Sequence, residues 1–266
     1  MSGSGRWRVP ASVAVVVVAL AVALVPSPGY ADQVRDAQWH VDFLDLATAH
    51  QITRGAGVTV AVIDSGIDGT HQDLRHNLLP GIDLIEPDND DAWTPEDHGT
   101  LVAGVLAGHG HGPGGADGVL GVAPQVRILP IRAAADDNQQ TGSRVLSDGI
   151  EYAVANGASV ISISLSTDYT EIGQRAIEAA RRSDVVVVAA AGNRPDAEGV
   201  TFPAALSTVV AVGGVDRVGG LAEFSVTGPE ITLAAPGHEI VSTHPGDEYA
   251  IVSGTGALGL SPVERR

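Results

Sequence analysis

Val58-Thr59-Val60-Ala61-Val62-Ile63-Asp64-Ser65-Gly66 is a β-branched apolar run that stops on a carboxylate followed by a small residue and a glycine. A run apolar at both odd and even positions reads as a buried parallel strand, here one that delivers Asp64 to the carboxyl edge of a sheet. At that edge βα loops gather and helix N-termini point inward, so ligands bind and chemistry happens there. Asp64 is therefore a candidate site residue. On this stretch alone it is equally a capping aspartate in a βα turn.

Outward from this strand the chain alternates in βα fashion. Further strands are expected at 126–131, 159–163, 185–190 and 209–215, and helical spacing at 144–156 and 171–182. Short β segments near 231–234 and 249–252 end the regular pattern. The fold class is read as α/β, a mostly parallel sheet with helices on both faces. No linker, repeat or low-complexity tract divides the chain, so one domain over 58–266 is the economical organisation.

Asp97-His98-Gly99-Thr100-Leu101-Val102-Ala103-Gly104-Val105-Leu106-Ala107-Gly108 reads as a tightly packed buried helix opening at His98. The dipole at a helix N-terminus disfavours a positive imidazole, which suits a general base. His109-Gly110-His111 lacks a suitably spaced third ligand and is read as a surface loop rather than a metal site. Glu86-Pro87-Asp88-Asn89-Asp90-Asp91 has the carboxylates for calcium but not the glycine and distal glutamate of an EF-hand loop, so it is read as a solvated acidic turn. No cofactor is expected.

Composition narrows the classes. Of 266 residues 44% are hydrophobic, enough for a substantial core, and the formal net charge is −17. Such a surface repels nucleic acid and anionic membranes. With no cysteine, neither disulfides nor thiol chemistry is available. Nucleotide binding is not expected either: no G-x-G-x-x-G follows the first strand, and a chain without lysine has no P-loop. At the N-terminus, Arg6 and Arg8 precede an apolar run over 11–25 and then Pro26-Ser27-Pro28-Gly29-Tyr30-Ala31. This is the layout of a secretory signal peptide over 1–31, cleaved after Ala31, with a retained signal anchor as the alternative. The product is expected to be secreted or associated with the cell envelope. Residues 32–57, with Trp39-His40-Val41-Asp42-Phe43-Leu44-Asp45-Leu46, are expected to form a short N-terminal arm.

A carboxylate ending one strand and a histidine opening a buried helix are two members of a possible triad, the aspartate orienting the imidazole and the imidazole taking a proton from a nucleophile. An amide donor for the oxyanion is also needed, and Asn193, after the apolar strand that ends in Ala189-Ala190-Ala191-Gly192, is placed to supply it. At this point the chain resembles the subtilisin-like serine proteases, most closely the mycosins associated with type VII secretion. The resemblance spans roughly 38–256 and rests on eight motifs in family order. They are Val62-Ile63-Asp64-Ser65-Gly66, His98-Gly99-Thr100-Leu101-Val102-Ala103-Gly104, Gly121-Val122-Ala123-Pro124, Ser162-Ile163-Ser164-Leu165-Ser166, Ala190-Ala191-Gly192-Asn193, Phe202-Pro203-Ala204, Ala235-Pro236-Gly237 and Ser253-Gly254-Thr255. The resemblance implies a subtilisin-like three-layer fold and a polypeptide substrate. It also implies Asp64 and His98 as triad members, Asn193 as oxyanion donor, and Ser164, Leu165 and Ser166 lining the substrate cleft.

The brief extension before Asp64, where most relatives carry a long propeptide, supports the mycosin branch and with it type VII secretion machinery as a partner. Mycosins, however, usually carry cysteines and a C-terminal membrane helix, and this sequence has neither. The largest departure is at the nucleophile. The family pattern is Gly-Thr-Ser followed by a small-residue helix, whereas this chain reads Gly254-Thr255-Gly256-Ala257-Leu258-Gly259-Leu260-Ser261. Gly256 stands in the serine's place, Ser253 is expected to point elsewhere, and Ser261 is a remote candidate for a displaced nucleophile. Two readings stay open: a serine endopeptidase whose nucleophile and following helix are lost by truncation or frameshift, and a catalytically inactive peptide-binding or secretion-complex component.

Overall fold

The computed structural model describes residues 30–87, 97–135 and 141–256. Residues 1–29 of the signal peptide expected over 1–31, the acidic turn from 88 onward and Ser261 lie outside the described residues. Seven strands form one parallel sheet in the order β2-β5-β1-β6-β7-β8-β9: β1 (Thr59–Asp64), β2 (Ile82–Asp83), β5 (Arg127–Arg132), β6 (Val160–Ile163), β7 (Val186–Ala190), β8 (Val210–Val215) and β9 (Ile231–Pro236). Each neighbouring pair is parallel, as crossover connections require.

The strand that decides the fold is buried on both faces. Ala61 and Ile63 face one core with Leu146, Ile150, Ala153, Ile177 and Ala180, contributed by helices α5 (Ser143–Ala155) and α6 (Glu171–Arg182). Val60 and Val62, pointing the other way by the two-residue strand period, join Val102, Ala103 and Ala107 of α4 (Asp97–Ala107). Helices therefore cover both faces, the three-layer α/β arrangement that the residue pattern implies. Beyond the reach of α4 the sheet is barer: Val186 on β7 is 49% and Leu233 on β9 58% exposed.

Chain order fixes where the site lies. After β1 the chain runs to β2 and β5 on one side, then crosses to β6 on the other. The carboxyl end of β1 is thus a topological switch point, where open α/β sheets hold their ligands.

Two expectations are corrected. The expected arm 32–57 is not a simple one but is made of short helices, the first beginning two residues before it: α1 (Tyr30–Ala37), α2 (Trp39–Phe43) and α3 (Leu46–Ile52). Helices this short are marginal alone and are held by docking. Gln38, 2% exposed, accepts from Leu120 N–H at 2.8 Å and donates to the Leu120 and Val241 carbonyls. Trp39 Nε1 donates to His238 O at 2.9 Å. His109-Gly110-His111 is likewise no loop but strand β3 (His109–His111), paired antiparallel with β4 (Asp117–Leu120). Its glycines hid the strand, because hairpin pairing is decided by a partner and not by local propensity. A second hairpin joins β10 (Ile240–His244) to β11 (Glu248–Val252), of which only the latter is legible in the sequence. Among the described residues no helix is long and apolar enough to cross a membrane.

Candidate active site

Asp64 ends β1 at 1% exposure and His98 sits in the first turn of α4 at 5%. Nδ1 of His98 lies 2.6 Å from Oδ1 of Asp64. An ionised carboxylate only accepts, so Nδ1 carries the hydrogen and the lone pair of the neutral ring falls on Nε2. The same Oδ1 accepts from Ser65 N–H at 2.8 Å, while Oδ2 is buried without a partner among the described residues. An acceptor shielded from water in this way attracts the imidazole strongly, the low-dielectric setting in which a charge-assisted pair is most effective.

The local sequence builds this contact. Ser65 Oγ accepts from Gly99 N–H at 3.2 Å, satisfying one of the orphan donors at the start of α4. Position 99 must be glycine, since a Cβ there would overlap the Gly66 carbonyl oxygen. Gly66 itself has φ +127°, a backbone state that side chains disfavour. Ser65, Gly66 and Gly99 thus press the end of β1 onto the start of α4. Thr100, fully buried, accepts from Asp68 N–H at 2.9 Å, and its carbonyl receives Thr243 Oγ1 at 2.7 Å.

Arg132, which the sequence reading passed over, braces the same turn from the neighbouring strand. Its Nε donates to Ser65 O at 3.1 Å and its Nη1 to Asp83 Oδ2 at 2.7 Å, with Glu86 at 3.5 Å. Burial acts to raise the Asp83 pKa, but the Glu86 N–H, the Arg132 guanidinium and the Ile85 N–H together hold it below the usual carboxylate range. The signal for Arg132 was one charged residue closing an apolar strand, 127–132.

Asn193 follows β7 by three residues, past Gly192 at φ +115°. Its Oδ1 accepts from Thr255 N–H at 2.8 Å, and Gly192 N–H donates to Thr255 Oγ1 at 3.1 Å. The loop after β7 is therefore interlocked with the Gly254-Thr255-Gly256 segment, which is also anchored by Gly254 N–H on Gly237 O at 2.8 Å. Ser253 Oγ is turned away, accepting from Glu239 N–H at 2.8 Å. Ser164, Leu165 and Ser166 follow β6 directly, at the same carboxyl edge, with Leu165 packed on the core below. Asp64 with His98 and Asn193 with residues 254–256 are thus two built contacts at one sheet edge, on β1 and β7 with β6 between them. Among the described residues no group of three or more His, Asp or Glu could hold a metal ion.

Residues 55–257 match the subtilase family, Peptidase S8. The chain is 42% identical over 210 residues to a thermophilic serine proteinase of Bacillus sp. (strain AK1), covering 78% of this chain and 51% of that protein. It is 36% identical over 211 residues to the major intracellular serine protease of Bacillus subtilis (strain 168), covering 76% and 65%. Among solved structures it is similar to the prenylagaramide maturation protease PagA, with TM-score 0.70 and 30% identity over 80% of this chain and 75% of that one. The chain thus spans between half and two thirds of the two Bacillus relatives. With a matched region of this extent and the parallel sheet that carries it, the chain belongs to the subtilase family of peptidases.

Proposed function

We propose that this chain is the core of a serine-type endopeptidase domain acting on polypeptide, in which Asp64 orients His98, Asn193 faces the developing oxyanion and position 256 is that of the nucleophile. The observation that carries this reading is the buried 2.6 Å contact of His98 Nδ1 with Asp64 at the sheet's carboxyl edge. In the scheme, Nε2 of His98 takes the nucleophile's proton as it attacks the scissile carbonyl and returns it to the leaving amine, while Asp64 stays ionised and stabilises the imidazolium. Because Asn193 Oδ1 is engaged by Thr255 N–H, the NH₂ end of that side chain is the end with hydrogens to give an oxyanion. Ser164, Leu165 and Ser166 line the cleft in which the peptide lies. The scheme uses protein groups alone and no cofactor.

Gly256 offers no atom to attack a carbonyl, which favours a second reading for the chain as it stands: an inactive member that binds peptides or secretion components through the same cleft. Removal of the triad serine from a subtilisin costs about 2 × 10⁶ in kcat. The chain is accordingly expected to show no peptide turnover above background and no labelling by a serine-directed phosphonate. Gly256→Ser combined with an appended small-residue helix of the family's kind is expected to be labelled at position 256, and to lose the label on a further His98→Ala change. Labelling of the unaltered chain at Ser253 or Ser261 would move the nucleophile and overturn the assignment of position 256.

Export through residues 1–31 goes with this reading, and N-terminal sequencing of secreted protein is expected to begin at Asp32. The finer placement in the mycosin branch, with type VII secretion machinery as partner, rests on motif wording and the brief extension. It has no counterpart among the relatives described above, whose descriptions name a thermophilic, an intracellular and a maturation protease. Failure to co-purify with that machinery from the native cell envelope would remove it.

A further inference from the structure

A cleft of about 450 Å³ opens on the side of the molecule away from Asp64 and His98. Arg54 and Gln125, which line it, precede β1 and β5 and so stand at the amino-terminal edge of the sheet. The six residues of β1 separate that edge from Asp64 by roughly 17–20 Å. The β3 strand and the glycine turn after it form the opposite wall.

Its charge is the reverse of the molecule's. In a chain of net charge −17, the lining includes Arg54, Arg75, His76 and His109 and no aspartate or glutamate. The ion pairs that arginines make among the described residues belong to Arg132, Arg144, Arg175 and Arg217, not to Arg54 or Arg75. The nearby Asp73 carboxylate is already taken by His111 Nδ1 at 2.7 Å, Val119 N–H at 2.8 Å and Tyr249 OH at 3.0 Å.

Two polar atoms in this lining are buried without a partner, Nε of Arg54 and Nε2 of His109. Buried polar atoms nearly always find a partner in folded proteins, and here both unmet atoms belong to side chains that line the same cleft. Arg54 Nε always carries hydrogen. Nδ1 of His109 lies 2.7 Å from the Gly110 carbonyl and so carries hydrogen too, which leaves Nε2 as the unpaired ring nitrogen. The His76 ring stacks on His109 with centroids 5.3 Å apart and an interplanar angle of 23°, fixing its plane.

We infer that this cleft binds a small oxyanion, a phosphate group or a carboxylate, between the Arg54 guanidinium and the His109 imidazole, with Arg75 and His76 at the rim. A guanidinium and an imidazole lining one cleft suit two oxygens of one anion better than a monatomic ion. The site is separate from the peptidase chemistry, so it stands whether or not position 256 is that of the nucleophile.

Calorimetric titration of the full chain at pH 6 and constant ionic strength, with inorganic phosphate, acetate and chloride in turn, tests it. Saturable one-to-one binding of phosphate or acetate is expected, with chloride silent, and the tighter of the two decides between a phosphate group and a carboxylate. Arg54→Gln and His109→Gln are each expected to weaken binding about tenfold or more, as loss of a charge-assisted hydrogen bond does. Arg75→Gln, at an exposed position whose change leaves the core untouched, is expected to weaken it by about threefold through lost charge alone, and covers the case in which the other variants unfold. Non-saturating heats, equal uptake of chloride, or parent-like affinity in the variants that fold overturns the inference.

Discussion

At position 99 a single hydrogen atom decides whether the candidate site exists. Gly99 lets α4 begin against the Gly66 carbonyl while its N–H reaches Ser65 Oγ, and only then does His98 meet Asp64. Gly99→Ala is therefore expected to push the helix start away from β1 and to destabilise the fold by about 1–3 kcal/mol, the usual cost of overpacking. Urea unfolding checks the stability, and loss of the low-field Nδ1–H resonance of His98 checks the pairing. An unchanged resonance in a folded Gly99→Ala protein would disprove the fit. The acidic groups around this turn give a pH dependence of known sign. Burial acts to raise the pKa of Asp68, but hydrogen bonds from Thr70 and the Gly246 N–H hold it below its usual value, and Asp83 is lowered as described. A carboxyl whose pKa is depressed by folding contributes stability that is present above its unfolded pKa of about 4 and lost as pH falls through the folded value. Thermal stability is thus expected to decline as pH falls below about 4, and to decline less steeply in Asp83→Asn.

Among the secondary elements, α1 is eight residues long, short for a helix on its own, and its Arg35 side chain fastens it to the turn before β4 and to β4 itself. Arg35 Nε donates to Gly118 O at 2.9 Å, and Nη2 to Gly115 O at 3.2 Å and Asp117 O at 3.4 Å. Burial lowers the guanidinium's pKa, an effect opposed by the charges of Asp73 and Asp117. Arg35→Ala removes these charge-assisted bonds at about 1.5–3 kcal/mol for hydrogen bonds to a charged group. It is expected to release α1, so that limited proteolysis cuts before Gln38 while the strands of the parallel sheet stay resistant. Equal protection in parent and variant would show that α1 is held by something else.

On the scale of the whole molecule, the segment before β1 and the hairpin after β9 are one structure. Gln38 reaches Val241, and Trp39 reaches His238 while lying 6.0 Å beneath the Arg217 guanidinium. Such cross-chain ties make unfolding cooperative. With Trp7 and Trp93 replaced by Phe, fluorescence reports Trp39 alone, and its urea transition is expected to coincide with that of far-UV circular dichroism. An earlier fluorescence transition would mean that the N-terminal helices come away first.

Periodicity is local, so it reads well from sequence. The run 58–66 specified a strand buried on both faces ending at Asp64, and the spacing in 144–156 and 171–182 specified two helices, because alternation and 3.6-residue repeats are properties of neighbours along the chain. The strands β5 to β9 were legible to within a residue or so at most ends for the same reason. What only the tertiary structure decided are the contacts between residues far apart in number. Arg132 under the Ser65 carbonyl, Asp73 between two hairpins, the β3–β4 pairing and the docking of α1 to α3 each depend on a partner that no local pattern names. The Asp64–His98 contact lies between the two cases. Its members are visible as a strand end and a helix start, but their 2.6 Å separation exists because Ser65, Gly66 and Gly99 allow two backbones to touch, and close approach is a fact of packing in three dimensions.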